Sequence, residues 1–138
     1  MRNLPTDLEL LEEIYRRYLE TYVAYSDENP GRSTKLYVPI DVKVLAAHFE
    51  ADADIIFGRL YYHLEQKYGF TDPEGSKVPF FAVRVGSDKH AIQFPLLASI
   101  LASLREEQNR YLWATWLSIA ALALSVVSVV LSIVTGKP

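Results

Sequence analysis

The chain has 138 residues, with 14 Lys plus Arg against 17 Asp plus Glu, a formal net charge of −3 and no cysteine. Disulfides, thiolate metal sites and cysteine nucleophiles are therefore excluded, and the length before the apolar C-terminal run bounds the soluble part to one small domain. Up to residue 104, eleven basic residues stand against fifteen acidic ones, the wrong sign for a protein whose main partner is nucleic acid.

The opening MRNLPTDLELLEEIYRRYLE carries Asp7, Glu9, Glu12 and Glu13 where a signal peptide is apolar, so signal-directed export is not expected. Thr6 and Glu9 form a capping-box pattern that predicts a helix start. Leu8, Leu11, Tyr15, Tyr18, Tyr22 and Tyr25 then recur at steps of three and four, which is one helical face. Glu12 with Arg16, Glu13 with Arg17, and Arg16 with Glu20 pair at four-residue spacing on the other side. The stripe Tyr15, Tyr18, Tyr22 and Tyr25 reads as a core face with wet edges or as a subunit or partner surface. Each ring buries a large area while its hydroxyl needs a hydrogen bond.

Ser26 to Lys35 is a loop by composition, and LYVPI after it a short extended piece. From Asp41 to Phe70 the pattern predicts two helices joined by a few residues around EADAD, with Asp41 and Asp52 as N-caps and Gly69 as the stop. VPFFAVRV, with Phe81, Val83 and Val85 alternating, then GSDK, then HAIQF with Ile92 and Phe94, predicts a β-hairpin.

Leu45, Ala46 and Phe49, the turn pair Ala51 and Asp52, and Ile55, Ile56, Leu60 and Leu64 resemble the winged-helix pattern, and the hairpin stands where a wing belongs. The resemblance covers about residues 7–94 and implies a fold that is mainly α with a small β-hairpin wing. Winged helices serve as DNA readers and as protein-interaction modules. Ala53, Asp54, Phe57 and Gly58 occupy the base-reading positions, with Arg59 the only cation before Lys67, so the expected partner is protein and nucleic acid binding is disfavoured.

No catalytic constellation stands out. His48, His63 and His90 have no metal-ligand partner at helical spacing, the glycines form no phosphate loop, and Ser87, Asp88 and His90 crowd a hairpin turn. The chain is read as a non-enzyme without cofactor or metal.

From Pro95 one helix of about forty residues is expected, because no breaker interrupts it before Gly136. Residues 95–110 read as an amphipathic stalk, with Leu97, Ile100, Leu101 and Leu104 on one side. Residues 111–135 carry no charge and have the length of a transmembrane helix, and 136–138 are a short tail. Arg110, Tyr111, Trp113, Trp116 and Lys137 are the expected membrane-interface anchors. Ala114, Ser118, Ala121, Ser125, Ser128, Ser132 and Thr135 form a heptad stripe of small residues, the pattern of a helix-packing face in lipid.

The resulting expectation is a single-pass protein of a bacterial-type inner (plasma) membrane, with residues 1–94 in the cytoplasm. It contacts lipid, associates with itself through the span, and recruits or responds to a protein partner. The alternatives are a membrane effector, for example in antiviral defence, whose clustered spans perturb the bilayer or form a pore, and a membrane-bound winged-helix transcription regulator.

Overall fold

The computed structural model describes residues 4–136, which are mainly helical with a small antiparallel sheet and one long apolar helix at the C-terminus. The chain divides into two units, Met1–Ala102 and Ser103–Pro138.

Helix α1 spans Asp7–Val23 and begins on the expected capping box: Glu9 N donates to Thr6 Oγ1 at 3.2 Å, and Thr6 N donates to the Glu9 carboxylate at 2.7 Å. Its buried face differs from the expected stripe. Leu10, Leu11 and Ile14 are buried, whereas Leu8 and the four tyrosines are half-buried. Side chains without polar atoms take the deepest places, and the tyrosines keep their hydroxyls at the boundary, where hydrogen bonds are available. Glu13 is buried as well, because Arg16 and Arg17 both reach its Oε1 at 2.7 Å. The pairing of Glu13 with Arg17 is thus present, while Arg16 turns to Glu13 at a spacing of three.

No basic residue occupies the last turn of α1. Arg32, from the following loop, supplies that charge: its guanidinium donates to Thr21 O at 3.0 Å and to Lys35 O at 2.9 Å, and lies 4.9 Å from the Tyr25 ring centre. A cation on the terminal carbonyls satisfies them and complements the helix dipole.

Strand β1 (Tyr37–Pro39) leads into α2 (Val42–His48), capped by Asp41, and then α3 (Ala53–Gly58), capped by Asp52. The second helix of the pair does not continue as a regular α-helix. Arg59–Leu64 is a π-helical segment, with Glu65 N bonded to Leu60 O, before α4 (Glu65–Tyr68) resumes. Ile56 on α3 and Leu60 and Leu64 on the π-helical segment are buried, whereas Ile55 is exposed. Gly69 ends α4 with an ordinary φ of −62°. It is required there for space, since a Cβ would stand 2.7 Å from Glu65 O.

The expected first hairpin strand is interrupted at Pro79, which has no amide to give to a ladder. Lys77–Val78 (β3) pairs instead with Phe70–Thr71 (β2), Phe80 turns into the core, and β4 begins at Phe81 and runs to Val85. Strand β5 (Asp88–Gln93) returns after a two-residue turn at Gly86 and Ser87, with Gly86 at φ 58°. The sheet order is β1-β5-β4, all antiparallel, with Val38 and Phe81 both opposite Ile92. Phe81 and Ile92 are buried as expected for inward positions, Phe94 is buried but as the first residue of the following helix rather than in the strand, and Val83 is exposed.

Helix α5 spans Phe94–Thr135. Phe94, Leu97, Ile100 and Leu101 are buried, so the start of the expected stalk belongs to the core of the first unit. From Arg105 onward every described side chain of α5 is exposed.

Candidate functional site

The second unit consists of the continuation of α5, whose 18-residue apolar window has a mean hydropathy of 2.6 with none of it buried. The small residues Ala114, Ser118, Ala121, Ser125, Ser128, Ser132 and Thr135 are all exposed. Ala121, Ser125, Ser128 and Ser132 line one shallow groove, walled by Leu124 and Val129. At about 100° per residue, Trp116 stands about 160° around the axis from Ala114, so a bulky face opposes the small one. Trp113, Trp116, Leu117 and Ala120 line a groove on that bulky side.

Hydroxyls toward both ends of the stripe have local partners. Ser118 Oγ donates to Ala114 O at 2.9 Å and Thr135 Oγ1 to Leu131 O at 2.7 Å. Back-bonding of this kind satisfies a hydroxyl in apolar surroundings without a second helix. At those two positions association would therefore rest on the close approach that small side chains permit rather than on the hydroxyl.

At the start of the apolar segment, Arg110 pairs with Glu106 one turn earlier at 2.8 Å, and Tyr111, Trp113 and Trp116 are each about 70% exposed. Lys137 lies outside the described residues.

The four tyrosines, three on α1 and Tyr25 just past its end, are engaged within the first unit. Tyr15 and Tyr22 stack on Phe94, Tyr18 OH accepts from Asp41 N at 2.8 Å, and Tyr25 lies under Arg32. Lys35 Nζ sits 5.6 Å from the centre of the Tyr22 ring.

Two carboxylates on α1 hold the helix pair. Asp7 accepts from Arg59 Nη2 and lies 3.2 Å from His63 Nε2 and 3.7 Å from Lys67 Nζ. Burial pushes the Asp7 carboxyl up, but the hydrogen bonds from Arg59 and His63 outweigh it and hold the group below the usual aspartate value. Glu13 behaves the same way: burial raises it, and Arg16, Arg17 and the His48 ring at 3.5 Å bring it below the usual glutamate value. In the hairpin, Asp88 accepts from Ser33 N at 2.9 Å. Among the described residues no cluster of three or more His, Asp or Glu side chains could hold a metal ion.

Set beside family models, curated proteins and solved structures, the chain matches none of them. The grouping of Phe57 with the His90 ring has no local signature in the sequence, because these residues are 33 positions apart and only the hairpin's fold brings them together.

Proposed function

We propose that this chain is a membrane-anchored interaction module, with α5 crossing the bilayer and the first unit presented at its cytoplasmic surface. The observation that carries the reading is the apolar window of α5, none of which is buried within the chain. Exposing a large apolar side chain to water costs about 1.5–3 kcal/mol. Leu117, Leu122, Leu124, Val126, Val127 and Leu131 are each more than half exposed, so the segment demands an apolar surrounding. A bilayer supplies one at the right thickness, about 20 residues of helix for about 30 Å of hydrocarbon.

We read the first unit as winged-helix-like. Supporting this are the element order α1, β1, α2, α3 and hairpin, and the pairing of β1 with β5. The residues at the start of α3 favour a protein partner over DNA: Asp54 is exposed there, and no Arg, Lys, Asn or Gln precedes Arg59 on the helix. Self-association through the small-residue face belongs to the same proposal, and clustering would bring several first units together at one patch of membrane.

The test is fractionation of full-length protein expressed in bacteria, followed by an alkaline carbonate wash and protease treatment of spheroplasts. The expected result is retention in the membrane pellet with the first unit protected from external protease. A double change, Leu122→Arg with Val126→Arg, should release the protein. Wild-type protein that stays in solution as a defined particle without detergent would overturn the proposal in favour of a soluble helical assembly.

A further inference from the structure

The first unit contains a groove of about 480 Å³ between the end of β1, the starts of α2 and α3, and the β4–β5 hairpin. Ile40, Val42 and Phe57 give it an apolar side. The His90 imidazole stands over Phe57, with ring centres 5.3 Å apart, and also meets Phe81 at 6.0 Å. His90 holds a φ of 52°, a left-handed backbone that side chains other than glycine rarely adopt. Its carbonyl accepts from Ile40 N, just past β1, at 2.9 Å, and its ring meets the two phenylalanines, so contacts on both sides hold the residue in that conformation. Strain that the surrounding structure over-determines is a recurrent feature of ligand clamps.

The charge around the groove is unevenly used. Asp41 commits its carboxylate to the amides of Lys43 and Val44 as the cap of α2. The Lys43 and Lys89 ammonium groups and the His90 ring nitrogens have no hydrogen bond or ion pair among the described residues, against one free lining carboxylate, Asp54. Unpartnered nitrogen donors therefore surround an aromatic wall.

We propose that this groove binds a small aromatic anion, its ring against Phe57 and His90 and its negative group between Lys43 and Lys89. The volume falls within the range of about 300–1,000 Å³ usual for small-ligand sites. A ring gains from offset stacking on aromatic side chains, and an anionic group gains from ammonium donors that have no other partner. A nucleoside phosphate and an aryl carboxylate share this chemistry.

The experiment is a titration of isotope-labelled full-length protein in zwitterionic micelles, followed by amide NMR signals. The probes are adenosine monophosphate and 2-naphthoate, with adenosine and inorganic phosphate as comparators. Saturable shifts at Phe57, Lys89 and His90 are expected with at least one of the two anions, about tenfold tighter than with either comparator. Adenosine monophosphate alone would assign the site to nucleoside phosphates, and naphthoate alone to aryl carboxylates. The double variant Lys43→Gln with Lys89→Gln, both exposed positions, should keep its spectrum elsewhere and bind about tenfold more weakly. The proposal is overturned if neither anion shifts these signals at about 5 mM, if a comparator binds as tightly as the anions, or if the double variant binds like wild type.

Discussion

The rings of Tyr22 and Phe94 lie 4.8 Å apart at 18°, and Tyr15 stacks on the same Phe94 at 5.5 Å and 16°. Two residues one heptad apart on α1 thus hold the first residue of α5, tying the N-terminal helix to the start of the C-terminal one. Phe94→Ala should destabilise the first unit by about 3–5 kcal/mol, since it empties a buried aromatic site. Tyr22→Phe keeps the ring and should stay within about 0.5 kcal/mol of wild type. Urea unfolding of the full-length protein in detergent, followed by tryptophan-independent circular dichroism, would measure both. A large loss in Tyr22→Phe would show that the hydroxyl, rather than the stack, matters.

The acid response follows from Asp7 and Glu13. Both carboxyls are held below their usual values in the folded chain, by Arg59 and His63 for one and by Arg16, Arg17 and His48 for the other, against the opposing effect of burial. A depressed folded value means that the contribution is fully present above the unfolded carboxylate values of about 4 and is lost as pH falls through the folded ones. Wild type should therefore lose stability steeply below about pH 4, whereas Asp7→Asn with Glu13→Gln should start lower at neutral pH and show a shallower acid slope. Unfolding free energy measured across that range decides it, and parallel curves would mean that neither group is linked to folding.

Gly69→Ala should cost about 1–3 kcal/mol by forcing apart close-packed atoms, although φ at this position suits any residue. The added Cβ would stand 2.5 Å from Glu65 Oε1 and 2.7 Å from Glu65 O, and Glu65 Oε2 accepts the Phe81 amide at 2.7 Å. The change should thus loosen the start of β4 as well as the end of α4. Faster amide exchange at Phe81 is the readout, and unchanged protection there would remove Glu65 from the account.

Ser125→Leu with Ser128→Leu places bulk in the groove lined by Ala121, Ser125, Ser128 and Ser132. The expected outcome is weaker self-association in nanodiscs, by about 0.6 kcal/mol or more per site, with no loss of membrane insertion. Leu122→Ala, outside that groove, should leave association unchanged. Single-molecule subunit counting would compare the two, and equal association in all three proteins would argue that the face contacts lipid alone.

The parts of this molecule that were legible in the sequence are those governed by neighbours along the chain. The Thr6 and Glu9 box, the Asp41 and Asp52 caps, the stop at Gly69 and the reach of α5 to Thr135 each follow from contacts a few residues apart. The extent of the apolar segment is likewise a property of composition alone.

Only the tertiary structure decided which face of α1 is buried, because the choice between Leu10 with Ile14 and the tyrosine stripe depends on what packs against it. The π-helical turn at Arg59–Leu64 and the small β2–β3 pair also escaped the pattern, since local periodicity does not register a single widened turn or a two-residue strand. The same holds for the groove at Phe57 and His90: its chemistry comes from residues far apart in the chain, brought within one ring contact when β5 settles between β1 and β4. Burial and long-range pairing are properties of the folded whole, so a sequence specifies them without displaying them in any local pattern.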